Sequence, residues 1–186
     1  MHFSAKVIVL LLMVLFTFNT ISAQDSAMTM SIGGDVKNPR QWSAEQLKLK
    51  FADQVKEVKF KDPLSLWKER TGKGIPLLSV INEAEPRLEK VRKFHKDKMH
   101  YDMSFFVILE ARDSFRVFFS LAELMPQLGS ADVWLVWEKE GEPLSGIDAP
   151  FRLVTLNTRM PDREIYGISS ITLVDGDRLA DQLKTK

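Results

Sequence analysis

Three arginines near the C-terminal end, Arg152, Arg159 and Arg163, are the side chains best suited to ligand chemistry. A guanidinium stays charged at physiological pH, and its planar fork matches a carboxylate or a phosphate. Close together in sequence, the three could hold an anionic group. The competing use is an ion pair with a neighbouring acid such as Asp162 or Glu164. Other chemistries find less support. His95 and His100 stand five apart, whereas metal pairs on a helix stand roughly three or four apart. Ser145, Ser169 and Ser170 have no histidine nearby and no nucleophile-elbow pattern. Asp113 falls in a turn, where aspartate caps backbone groups. There is no glycine-rich phosphate loop and no cysteine at all. That last fact excludes disulfides, cysteine-held zinc or iron–sulfur centres, thiol nucleophiles and a lipid anchor on an N-terminal cysteine.

The chain that must position these groups has 186 residues, with 45% hydrophobic and 27% charged, which suits one globular domain. Lys and Arg number 26 against 25 Asp and Glu. Such balance argues against nucleic acid as the main partner, because phosphate binding needs a basic excess. The cations concentrate in Arg87–Lys98, where Glu89 and Asp97 are interleaved. This stretch reads as a solvated helix face, with an acidic partner or a membrane surface as the alternative.

The first 23 residues differ from the rest. Lys6 is their one charge, Val7–Phe18 is apolar except for Thr17, and Ser22 and Ala23 are small. This is the pattern of a secretory signal peptide cut after Ala23. The apolar run is shorter than the roughly 20 residues a membrane-spanning helix needs. No transmembrane segment is expected after cleavage, and the destination is the periplasm or beyond. Without an arginine in the signal, the expected route is export as an unfolded thread.

Along the mature chain, residues 24–30 read as a flexible lead-in, 31–175 as the domain and 176–186 as a polar tail. Strands are expected at Ser31–Val36, Val55–Phe60 (Val58 and Phe60 sharing a face), Met103–Ala111, Phe115–Ser120, Val133–Trp137, Phe151–Leu156 and Ile168–Val174. Helices are expected after Ser43, at Ile75–Ala84, over Pro86–His100 and after Ser120. The pairs Ser43/Gln46 and Ser120/Glu123 fit capping boxes. Asp62–Gly74, with two glycines and a proline, reads as a polar loop. Trp134 and Trp137 should face opposite ways on one strand, one in the core and the other lining a pocket or an interface. Strands and short helices mix without a βαβ rhythm, so the expected class is α+β, a mixed sheet or barrel in one domain.

In order and spacing, these segments resemble the molybdopterin-binding domain of sulfite-oxidase-type oxidoreductases in a small stand-alone form. The resemblance rests on GGDVKNP (Gly33–Pro39) with Trp42–Leu47, GIPLLSV (Gly74–Val80) and LEARDSFRVFFSLAEL (Leu109–Leu124). It continues through VWLVWEKEGEPL (Val133–Leu144), APFRLV (Ala149–Val154) and Arg163–Ile171, so it covers roughly residues 31–175. It implies that Arg152 matches the family's arginine in the penultimate strand and could bind a pterin phosphate with Arg159 and Arg163. It also implies a molybdenum-binding cysteine near Val58–Lys61, where this chain has none. Asp113-Ser114-Phe115 and Ala149-Pro150 also depart from the family's aspartate–glycine–tyrosine and glycine–proline.

Together these readings favour an exported binding or interaction module with no bound cofactor, meeting an envelope protein or a small anionic ligand. The alternatives are a molybdopterin-dependent oxidoreductase with a non-cysteine metal ligand, and a periplasmic small-anion sensor.

Overall fold

The computed structural model describes residues 29–88, 104–129, 131–156 and 163–184. Alternating side chains build a first sheet from β1 (Thr29–Gly34), β2 (Arg40–Ser43), β5 (Phe105–Ala111), β6 (Arg116–Ser120) and β10 (Ile168–Asp175). Their order is β2-β1-β10-β5-β6, with β1 and β10 parallel and the other neighbours antiparallel. Successive strand residues point to opposite faces. One face therefore carries Met30, Ile32, Val107, Leu109, Val117, Phe119, Ile171 and Leu173, all buried.

The second sheet contains β3 (Lys56–Asp62), β4 (Lys68–Pro76), β7 (Asp132–Lys139), β8 (Glu142–Pro143) and β9 (Arg152–Leu156). Every pairing in it is antiparallel: β3 with β4, β4 with β7, and β7 with both β8 and β9. β7 is buried on both faces. Val133, Leu135 and Trp137 join the main core with the first sheet. Trp134 and Val136 join a smaller core with Val58, Phe60, Leu144, Ala149 and Val154. Among the described residues, four short helices flank the sheets: α1 (Ala44–Lys50), α2 (Leu77–Glu83), α3 (Leu121–Leu124) and α4 (Gly176–Lys184). Both expected capping boxes form, Ser43/Gln46 on α1 and Ser120/Glu123 on α3.

The structure corrects several sequence expectations. Neither sheet closes into a barrel; two open sheets instead share the main core in one α+β domain. Each sheet keeps its own edges because each has one continuous apolar face to bury against the other. The expected loop Asp62–Gly74 is a short 3-10 turn (Pro63–Ser65) followed by β4. Its glycines are there for close approach. A Cβ at Gly74 would lie 2.2 Å from the Leu135 carbonyl oxygen, and one at Gly72 2.8 Å from that of Glu138. The helix expected from Ile75 starts at Leu77, since Ile75 still pairs with Leu135 of β7. Both tryptophans of β7 are buried, so Trp134 lines no open pocket; it packs in the smaller core and donates to the partly buried Asp132. Of the helix expected at Pro86–His100, residues 89–100 lie outside the described residues, as does the signal segment.

The hairpin that joins β3 to β4 has an unusual tip. Leu66 (φ 55°) and Trp67 (φ 63°) both take left-handed backbone, at a cost of roughly 1–3 kcal/mol for each such residue. Asp62 holds the turn: its Oδ1 accepts from Leu64 N–H, its Oδ2 from the Ser65 hydroxyl, and its carbonyl from Trp67 N–H.

Candidate functional site

Period-two alternation along β3 turns Val58, Phe60 and Asp62 inward together, so a carboxylate follows two apolar residues into the smaller core. A buried carboxylate needs a cation, and β9 supplies one. Arg152 is opposite Val136 in the β7–β9 register, on the face that carries Val154, and none of its surface reaches solvent. Its Nη2 donates to Asp62 Oδ1 at 3.0 Å, to Glu164 Oε2 at 2.6 Å and to the Tyr166 hydroxyl at 3.4 Å. Its Nη1 stands 3.8 Å from Asp148 Oδ1. The guanidinium lies over two rings, 4.8 Å from the centroid of Phe60 and 4.4 Å from that of Tyr166, an arrangement that favours a cation electrostatically. Lys139 completes the group, 2.9 Å from Asp148 Oδ2 and 3.6 Å from Asp62 Oδ2.

Three carboxylates thus surround two cations, and the charges do not all fare alike. Burial works to raise the pKa of Asp62, but the Arg152 hydrogen bond and charge, helped by Ser65 and Lys139, outweigh it and hold this carboxyl below its usual range. Glu164 goes the other way. Burial raises it, Asp62 and Asp148 add to the rise, and Arg152 compensates only in part. Burial also pushes Tyr166 up to about 12, so its hydroxyl keeps its proton. Burial opposes the charge on Arg152, yet Glu164, Tyr166 and Asp62 more than restore it. Arg152 Nε and Nη1, Asp148 Oδ1 and Glu164 Oε1 are buried without a hydrogen-bond partner among the described residues.

Of the three arginines singled out in the sequence, the two described ones, Arg152 and Arg163, do not converge here. Arg152 is this buried hub, paired with Glu164 as the competing use allowed. Arg163 is half-exposed elsewhere, 3.0 Å from Glu123 and over the Phe119 ring at 5.0 Å. Arg159, His95 and His100 lie outside the described residues. Asp113 caps its own turn by accepting from Phe115 N–H at 3.0 Å. Sequence reading missed Asp62, Lys139, Asp148 and Tyr166. The alternation Val58-Phe60-Asp62 was the available signal, since it sets an acid on an otherwise apolar face. Among the described residues, no group of three or more His, Asp or Glu side chains is arranged to hold a metal ion.

The two sheets and their connections define a sulfite-oxidase-like fold. The likeness is carried by solved structures, among them the crystal structure of the sulfane dehydrogenase SoxCD from Paracoccus pantotrophus. That match has a TM-score of 0.58 at 16% identity and covers 83% of this chain. This chain spans about 40% of the length of the other, and at such identity the similarity is one of fold. No family model matches the sequence, and no curated protein does.

Proposed function

We propose that this chain is an exported binding module that uses a sulfite-oxidase-like frame without a molybdenum centre. The closed charge cluster around Arg152 carries this reading. The resemblance would make Arg152 a ligand for a pterin phosphate, but a phosphate there would meet Asp62, Asp148 and Glu164 at close range. Like charges in a buried site repel strongly, since little water screens them. Molybdenum also lacks a suitable donor. Soft thiolate is absent from the whole chain. On β3, where the resemblance expects the metal-binding cysteine, the one inward oxygen donor is Asp62. Both of its oxygens are already engaged, by Arg152 and Leu64 N–H on one side and by Ser65 and Lys139 on the other. The donor set does not fit the cofactor. Export is supported by the charged, apolar and small-residue order of the first 23 residues.

The test is elemental and pterin analysis of protein purified from its native host. The expected result is molybdenum far below one atom per chain and no pterin fluorophore after acid release. One molybdenum per chain together with a pterin would overturn the reading in favour of an oxidoreductase.

A further inference from the structure

Among the described residues most large apolar side chains are buried, but the β3–β4 hairpin tip holds three outward in a row of four residues. Leu64 is 57% exposed, Leu66 85% and Trp67 54%. Leu66 and Trp67 hold left-handed backbone there, where glycine or asparagine would turn the chain more easily. The tip is anchored through Asp62 to the buried cluster, so these side chains cannot fold back without breaking it. Its flanks carry three exposed lysines, Lys59, Lys61 and Lys68, against two exposed acids, Glu57 and Glu69, the latter 3.5 Å from Lys59.

We propose that this hairpin tip inserts into the interface of an anionic lipid bilayer. Leucines supply apolar area to the acyl boundary, and tryptophan suits the headgroup level, where its ring is apolar and its N–H stays wet. The lysine collar complements a negatively charged leaflet. Insertion of a preformed, rigid tip needs no refolding and orders few additional bonds. The proposal does not depend on whether a cofactor is bound, so molybdenum content and membrane binding succeed or fail separately.

The tip contains its own reporter. Trp42, Trp134 and Trp137 are buried, so Trp67 is the exposed tryptophan of the four. With phosphatidylglycerol-containing vesicles, the protein lacking its signal segment should co-float and its tryptophan emission should shift to the blue. With pure phosphatidylcholine vesicles, or in high salt, both effects should weaken. The double variant Leu66→Gly, Trp67→Asn should melt no lower than wild type, because both new residues tolerate left-handed backbone. It should float about tenfold less or worse. Failure of wild type to float on anionic vesicles, as expected if the tip meets a protein instead, overturns the proposal. So does flotation that the double variant retains in full.

Discussion

Arg152 shows how one side chain can change meaning between a sequence and a structure. In sequence it is a cation on a strand, near two other arginines. In the fold its nearest companions are Asp62, Glu164, Tyr166 and Phe60. Glu164 is twelve positions along the chain and was within reach of sequence reasoning. Asp62 is ninety positions away, and no local spacing encodes that pairing. Removing one partner from a buried ionic group leaves the others uncompensated, at a cost of about 3–5 kcal/mol. Arg152→Met should therefore lower the unfolding free energy by that amount in urea titrations. Arg163→Ala, which breaks a half-exposed pair with Glu123, should cost under about 1 kcal/mol.

The two acids beside Arg152 should respond oppositely to pH. Asp62 has its pKa lowered on folding, so its contribution is complete above the ordinary carboxylate value and is lost as pH falls through the lower folded value. Glu164 has its pKa raised, so its contribution is complete below the ordinary value and is lost as pH rises through the higher folded value. Asp62→Asn should thus destabilise at neutral pH, with the deficit shrinking only in strong acid. Glu164→Gln keeps an oxygen acceptor for Arg152, so at neutral pH it should cost less than Asp62→Asn, and its standing against wild type should worsen as pH falls and Glu164 takes up its proton. Melting curves of both variants against pH check the signs.

At the scale of elements, local chemistry was legible and close approach was not. The capping boxes of α1 and α3 need only a hydroxyl and an amide or acid three residues on, so they can be read from sequence. The β5–β6 hairpin shows itself by alternating apolar residues around Asp113-Ser114. β4 was hidden because Gly72 and Gly74 signal a loop when read locally, whereas their role is to let β4 lie against β7. Gly74→Ala should cost about 1–3 kcal/mol and speed amide exchange in both strands. Gly33→Ala is the control: a Cβ there meets nothing within 4 Å, and its backbone is not left-handed. It should change stability by under about 0.5 kcal/mol.

Across the whole molecule, the main core and the smaller core do different jobs. The main core joins the two sheets through ordinary apolar packing. The smaller core ends in the Arg152 cluster, which ties β3, the end of β7, the segment at Asp148, β9 and the residues leading into β10 to one another. The coarse class was visible in the mix of strands and short helices. The two-sheet arrangement was not, since strand order depends on pairings such as β1 with β10 that join the two ends of the domain. Arg152, which the sequence resemblance would make an anion ligand, is held in a structural knot of acids and rings. Calorimetric titration with inorganic phosphate at fixed ionic strength tests that most directly. No saturable binding is expected in the millimolar range. Saturable binding that Arg152→Met abolishes, in a variant shown to remain folded, would contradict it.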